Sequence, residues 1–299
     1  MFRRVSLLFG CLGLLAAAST QGAGVPRFNH VVVVIMENHS PGDIYGSSSA
    51  PYINGTLIAL GAKFTNSSTP QLHPSQPNYI ALFAGDNLGV TSDTCPVALT
   101  GSNLAQQLID AGLGFALYSE DLPAIGDTAC SSGLYTRTHN APADFASLPI
   151  TTNLPYSQFA TDLGNGSLPA VSFVVPNLCH DMHGDTLSCN SLLTDLVAAG
   201  DTWLQDNIAA FLAAPIARNS LLVLTWDEGS GLSTSSDQIP TIFAGAHVQR
   251  GFSSGVAITH YSVLRTLEDM YRLTPLLNAA TAAPITDVWD DVIFADMFE

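Results

Sequence analysis

The sequence predicts an α/β fold, a mostly parallel central sheet sandwiched by helices, on three observations. Short uninterrupted apolar runs recur along the chain, and such runs fit strands hidden on both faces. Segments with helical spacing lie between them, which is the alternation of a layered α/β domain. Four of the runs end in acids or amides, at the strand ends where a parallel sheet gathers its functional side chains.

The first strand is Val31 to Ile35, four valines and an isoleucine, followed after Met36 by Glu37 and Asn38. The next are Phe115 to Tyr118, leading into Ser119-Glu120-Asp121, and Val171 to Val175, leading into Asn177 and then His180-Asp181-Met182-His183. Leu221 to Thr225 runs into Trp226-Asp227-Glu228-Gly229, and Thr241 to Ala244 is the last strand. β-branched and aromatic residues dominate these runs, which suits a pleated, packed surface. Helices are predicted over Ala50 to Leu60, Asn78 to Phe83, Leu104 to Ala111, Thr202 to Ala213 and Tyr261 to Tyr271.

Residues 1–24 place Arg3 and Arg4 before a short apolar run and then small residues, the layout of a secretory signal peptide. The run from Val5 to Ala18 is shorter than the roughly 20 residues a spanning helix needs, so no stable membrane anchor is expected. No repeat or low-complexity linker divides residues 25–299, which read as a single domain, expected to be monomeric and secreted or periplasmic. Loss of the leader leaves Cys95, Cys130, Cys179 and Cys189, an even number in an exported chain, pointing to two disulfides. Three pairings exist, and the chain separations favour Cys179 with Cys189 and Cys95 with Cys130. The whole chain carries a formal charge of −16, and seven basic against 25 acidic residues remain without Arg3 and Arg4. Such a field repels polyanions, which argues against nucleic acid as a partner, and an anionic substrate would need a local cation.

Glu37, Asn38, Asp227 and Glu228 offer three carboxylates and an amide oxygen, a set that repels itself unless a cation sits among them. Hard oxygen donors favour Mg²⁺, Ca²⁺ or Mn²⁺ over zinc. Each of these residues alone would read as a cap or a solvated loop end; it is their joint placement that points to a metal. In HPSQPNYIALFAGD, Pro74 and Pro77 bracket Ser75 ahead of an apolar helix, setting its hydroxyl and the next N–H groups at a helix N-terminus. Ser75 is therefore a candidate nucleophile, the alternative being a simple helix cap.

Six segments, MENHS (36–40), HPSQPNY (73–79), SEDLPAIGDTAC (119–130), VVPNLCHDMH (174–183), TWDEG (225–229) and HYSVLRTLEDMY (260–271), resemble the bacterial phosphoesterase family of acid phosphatases and phospholipases C, in the alkaline phosphatase superfamily. The resemblance runs from about Phe28 to Trp289. It implies an alkaline-phosphatase-like fold and a hydrolase of phosphoric esters, acting on a small phosphomonoester or a phosphoinositide, with a phospholipase C-type phosphodiesterase as the alternative. It places Glu37, Asn38, Ser75, Asp227 and Glu228 on the metal-binding positions of one divalent ion, with Ser75 also the nucleophile. It further places His139, in YTRTHNAP, and His183 on histidines lining the phosphate site, and more loosely His73, Asp181 and His260 on substrate-binding positions. It also supports a bridge between Cys95 and Cys130.

Glu228 stands where many members carry Asp, and Pro41-Gly42 follows Ser40 where many carry Phe-Asp. Arg137, two residues before His139, either grips a phosphate oxygen or is a solvated side chain. His30, His39 and His247 are read as structural.

Overall fold

The computed structural model describes residues 24–70, 72–185, 187–231 and 237–290. The predicted signal peptide lies outside the described residues except for its last position, Gly24. Eight strands form the main sheet: β1 (His30–Met36), β2 (Gly61–Phe64), β3 (Phe115–Ser119), β4 (Asn153–Pro155), β5 (Val171–Val175), β6 (Ser220–Trp226), β7 (Thr241–Gly245) and β8 (Phe252–Ser254). Their spatial order is β8-β2-β7-β6-β1-β5-β3-β4. All pairings are parallel except those of β7, which runs antiparallel to both β6 and β2.

The five predicted strands all form, and the sheet is mostly parallel as expected. β1 sits at the centre between β6 and β5, and its valines explain why: successive side chains leave opposite faces of a strand, and both faces are covered. Val31, Val33 and Ile35 enter one hydrophobic layer with Tyr79, Ile80, Phe83, Leu264 and Leu267. Val32, Val34 and Met36 enter the other with Trp203, Leu204, Ile208 and Phe211. These partners come from helices Ser75–Ala84 and His260–Tyr271 on one side and Leu196–Ala213 on the other.

Three strands went unpredicted, β2, β4 and β8, and each is only three or four residues long. β2 depends on close approach: a Cβ at Gly61 would run into the Phe243 carbonyl of β7. The helix expected over Ala50 to Leu60 forms from residue 51, with a π-helical turn, Ile53–Leu57, in its middle and Ile58–Leu60 closing it. Asp201 holds its start, accepting the Tyr52 N–H at 2.9 Å and the Ile53 N–H at 2.8 Å. Helix Ser157–Asn165 was also missed, and the helix expected from Thr202 begins at Leu196, where Asp195 accepts the Ala198 N–H.

Both expected disulfides form, Cys95–Cys130 and Cys179–Cys189. Among the described residues, no helix is long and apolar enough to cross a membrane.

Glu268, wholly buried in helix His260–Tyr271, gives a pH test of the core. Its Oε1 accepts the Leu276 N–H at 2.8 Å, its Oε2 accepts no hydrogen bond from the described residues, and burial pushes its pKa up to about 8. An unfolded glutamate titrates near 4.3, so between roughly pH 4.3 and 8 the folded state binds more protons, and stability falls as pH rises through that window. Glu268→Gln keeps an acceptor for Leu276 without the charge. Urea unfolding is expected to show the variant more stable than the parent by on the order of 4 kcal/mol at pH 8, the gap closing towards pH 4.5. A gap that does not change with pH would contradict this.

Candidate active site

The strand-end residues meet at the carboxyl edge of the sheet, as the fold class requires. β1 and β6 are parallel and in register, Met36 opposite Trp226, so the residues that follow them emerge side by side. The Asp227 N–H donates to the Met36 carbonyl at 2.9 Å, and the Asn38 N–H donates to Asp227 Oδ1 at 3.1 Å. Asn38 turns the chain there with φ of 55°, a left-handed conformation that Asn tolerates better than most residues. From the other flank, the Glu37 N–H donates to the carbonyl of Asp181, beyond the end of β5.

Ser75 opens its helix directly after Pro74 and is 3% exposed. Its Oγ donates to Glu37 Oε2 at 3.0 Å, and the Asp227 carboxyl adjoins both residues. The expected row of free N–H groups at this helix start is partly taken, because the Gln76 N–H donates to Asp93 Oδ1 at 2.9 Å. The Gln76 side chain is fixed as well, donating to Asp144 and accepting from the Thr94 N–H. Ser75 is therefore held from behind while its hydroxyl faces the carboxylates.

His139 stands between two acids, its Nε2 3.3 Å from Glu37 Oε1 and its Nδ1 3.2 Å from Asp181 Oδ2. Tyr79 stacks on its ring at 5.1 Å with the planes 5° apart. Glu37, His139 and Asp181, all buried, each present a ligand atom within 4.8 Å of the others, a grouping able to hold a metal ion. The sequence reading had put His139 and Asp181 in other roles. His183 lies more exposed, with its ring centre 5.7 Å from that of His139 and its Nδ1 2.7 Å from the Gly184 carbonyl.

Burial first, then the charges of Asp227 and Asp181, hold the Glu37 carboxyl well above the usual carboxylate range. Burial and then Glu228 do the same to Asp227. Among the described residues, Glu37 Oε1 and Asp227 Oδ2 accept no hydrogen bond, and His139 Nε2 stands 3.3 Å from Glu37 Oε1. Buried carboxylate oxygens left this way are costly unless a cation or proton answers them, so the residues present fit a metal ion.

Other predicted residues sit apart from this cluster or behind it. Glu228 turns to His73, with its Oε2 3.1 Å from His73 Nδ1, and accepts from Asn78 Nδ2 at 3.2 Å. His73 Nε2 in turn is 3.2 Å from Asp237 Oδ2. His260 is buried, its Nε2 2.8 Å from the Trp226 carbonyl, and burial lowers its pKa to about 4, so the ring is neutral near pH 7.

Arg137 follows neither sequence alternative. It is 7% exposed, and its guanidinium donates to Asp144 Oδ1 and to the carbonyls of Thr128, Val97 and Ala143. Asp237, Asn78 and Tyr79 were not singled out from the sequence. Asn78 and Tyr79 lie in the HPSQPNY motif three and four residues after Ser75, so helical spacing could have found them. Nothing local marks Asp237.

Residues 56–274 match the Phosphoesterase family. The chain is 43% identical to the phosphatidylinositol-3-phosphatase of Mycobacterium tuberculosis, over 96% of this chain and 91% of that protein. It belongs to the phosphoesterase family. It is also 28% identical to a phosphate-repressible acid phosphatase of Penicillium chrysogenum, over 68% of this chain and 50% of that longer protein. In fold it resembles a Vibrio parahaemolyticus protein of the alkaline phosphatase superfamily, with TM-score 0.59 and 13% identity over 90% of this chain and 72% of that one. A phosphonate monoester hydrolase of Agrobacterium radiobacter gives TM-score 0.57 and 14% identity over 89% and 79%. These findings make the chain a phosphoesterase, a hydrolase of phosphoric esters with an alkaline-phosphatase-like fold.

Proposed function

We propose that this phosphoesterase is a secreted, metal-dependent acid phosphatase that hydrolyses phosphate monoesters through a phosphoserine on Ser75. The observation carrying this reading is the buried Ser75 hydroxyl, hydrogen-bonded to Glu37 at 3.0 Å beside Asp227. The phosphatidylinositol-3-phosphatase similarity over 91% of that relative makes a phosphoinositide the leading substrate. The reading takes residues 25–299 as one monomeric domain, freed from its leader and delivered to the periplasm or the medium.

In the first half-reaction Ser75 Oγ gives up its proton to the carboxylate cluster and bonds to phosphorus, and the bond from phosphorus to the substrate oxygen breaks. A divalent cation held by Glu37, Asn38, Ser75 and Asp227, with His139 and Asp181 on its flank, would supply positive charge beside the serine and phosphoryl oxygens. Glu228, positioned by His73 and Asn78, completes the acidic wall. The carboxylate-rich donor set suits Mg²⁺, Ca²⁺ or Mn²⁺, and the imidazole of His139 is compatible with Mn²⁺.

Of the two histidines that the resemblance places at the phosphate site, His183 is the better placed to protonate the leaving group, because both nitrogens of His139 face carboxylates. With Nδ1–H donating to the Gly184 carbonyl, a neutral His183 ring offers Nε2 only as an acceptor. The imidazolium form carries a proton on Nε2 as well and can hand it to the departing alcohol. The neutral ring then takes a proton from the water that hydrolyses the phosphoserine.

Turnover of p-nitrophenyl phosphate, its bis ester and phosphatidylcholine tests the assignment, with acid-quenched protein digested to look for phosphate on the peptide containing Ser75. Faster turnover of the monoester and a Ser75 adduct are expected. Preference for the bis ester or for phosphatidylcholine would favour the phospholipase C-type reading instead.

A further inference from the structure

A loop carrying three leucines stands beside the candidate site. Leu187, Leu192 and Leu193 are 92%, 89% and 89% exposed, the highest values among the exposed large apolar side chains of the described residues. Burial in the fold is the ordinary fate of leucine, so three such residues grouped within seven positions call for a partner.

The loop is not slack. Its root is tied by the Cys179–Cys189 disulfide, and the Asp185 side chain accepts the N–H groups of Leu187 and Ser188 at 3.1 and 2.9 Å. The Asn190 side chain accepts the Leu192 N–H at 2.9 Å, and its carbonyl accepts those of Leu193 and Thr194. Asp195 then caps the helix Leu196–Ala213. These bonds engage the N–H groups of Leu187, Ser188, Leu192, Leu193 and Thr194, while the three leucine side chains stand exposed.

The loop also shares a hollow with Asn38 and His183 of the candidate site. This hollow of about 350 Å³ has Asn38, His183, Ser191 and Thr194 in its lining, and Leu192 and Leu193 lie between the last two in sequence. Apart from the oxidised Cys189, the sequence holds no ionisable side chain between Asp185 and Asp195, although the chain carries a formal charge of −16. An apolar, uncharged tip on an acidic protein complements a lipid surface of low net charge and opposes a polyanionic one.

We propose that this disulfide-tied loop docks the enzyme on a zwitterionic phospholipid bilayer, with Leu187, Leu192 and Leu193 entering the headgroup boundary and the hollow opening towards it. The inference deepens the phosphoinositide reading and rests on it for the purpose of docking, since a headgroup phosphate can reach Ser75 only if the site comes to the membrane. The contact is peripheral and reversible, and the loop adds no spanning segment.

The test replaces the three leucines together, Leu187→Ser, Leu192→Ser and Leu193→Ser, in the full oxidised protein. Sedimentation with vesicles of pure phosphatidylcholine reads docking independently of any reaction. Wild-type protein is expected to sediment with them and the triple variant to remain in solution. Phosphate release is then compared for short-chain phosphatidylinositol 3-phosphate in solution and for the long-chain lipid diluted into the same vesicles. The variant should keep the soluble rate within about two-fold and lose about ten-fold or more on vesicles.

Equal sedimentation of the two proteins, wild-type protein that stays in solution, or a triple variant with parental activity on vesicles would overturn the proposal. So would concentration-dependent self-association that the substitutions abolish, since a second copy would then be the partner. Docking without hydrolysis of the soluble headgroup would retain the docking surface and sink the phosphoinositide reading alone.

Discussion

Ser75→Ala is expected to reduce kcat for p-nitrophenyl phosphate by about 10³-fold or more, because it removes the oxygen that bonds to phosphorus. The substitution suits the backbone, since Ala is well tolerated at the first position of a helix and the turn before it is set by Pro74. The hydroxyl lost is one donor to Glu37 Oε2, and Asn38 Nδ2 still donates to that oxygen at 3.2 Å. Fold and cation binding should therefore survive, the latter within about ten-fold by calorimetric titration. An alanine variant with a tenth or more of parental turnover would refute the nucleophile assignment. Loss of activity together with loss of cation binding would make Ser75 chiefly a ligand.

Asp227→Asn should produce two effects of opposite sign. Without a cation, Asp227 is a buried carboxylate held above its usual pKa by burial and by Glu228, next to a Glu37 that is raised in the same way. Raised folded-state values mean that the cation-free protein loses stability as pH climbs above the ordinary carboxylate range. The amide removes one of these charges and keeps an oxygen for the Asn38 N–H. In chelator at pH 8 the variant is thus expected to be more stable than the parent, by about 1 to 3 kcal/mol.

With Mg²⁺, Ca²⁺ or Mn²⁺ added, the order should reverse. The parent gains stability in proportion to occupancy, whereas the variant gains little and loses about 10²-fold or more in turnover. Thermal unfolding in chelator and in each cation measures both halves. A parent protein whose unfolding temperature is the same in every condition would remove the metal from the account.

The buried strands were legible because both faces of a central parallel strand are covered, which turns alternation into a continuous apolar run. Val31 to Ile35 and Leu221 to Thr225 are of this kind. The same feature hides direction: Thr241–Gly245 reads alike both ways, so nothing in its composition announces that β7 runs against its neighbours. Strands of three or four residues, such as Asn153–Pro155 and Phe252–Ser254, are held by their sheet partners rather than by their own propensity, and sequence pattern carries little of that.

In the candidate site, Glu37, Asn38 and Asp227 were legible as strand-end residues, and Ser75 as the start of a helix. The grouping of His139 with Glu37 and Asp181 was not, because it joins a short 3₁₀ turn to two strand ends across 102 and 42 positions. Arg137 illustrates the opposite difficulty. A scarce cation beside a motif histidine invites a functional role, yet its neighbours in space are a buried aspartate and three carbonyls that the linear order does not reveal.

The placement of β1 between β5 and β6 has a consequence for the order of events during synthesis. Glu37 is made within the first eighth of the chain, but its neighbour across the sheet, the Ser220–Trp226 strand bearing Asp227, is made only after some two hundred further residues. A ribosome-bound fragment can thus hold Ser75 and Glu37 and still lack the Asp227 carboxylate. The grouping of Glu37, Ser75 and Asp227 is complete only once the Ser220–Trp226 strand lies beside β1.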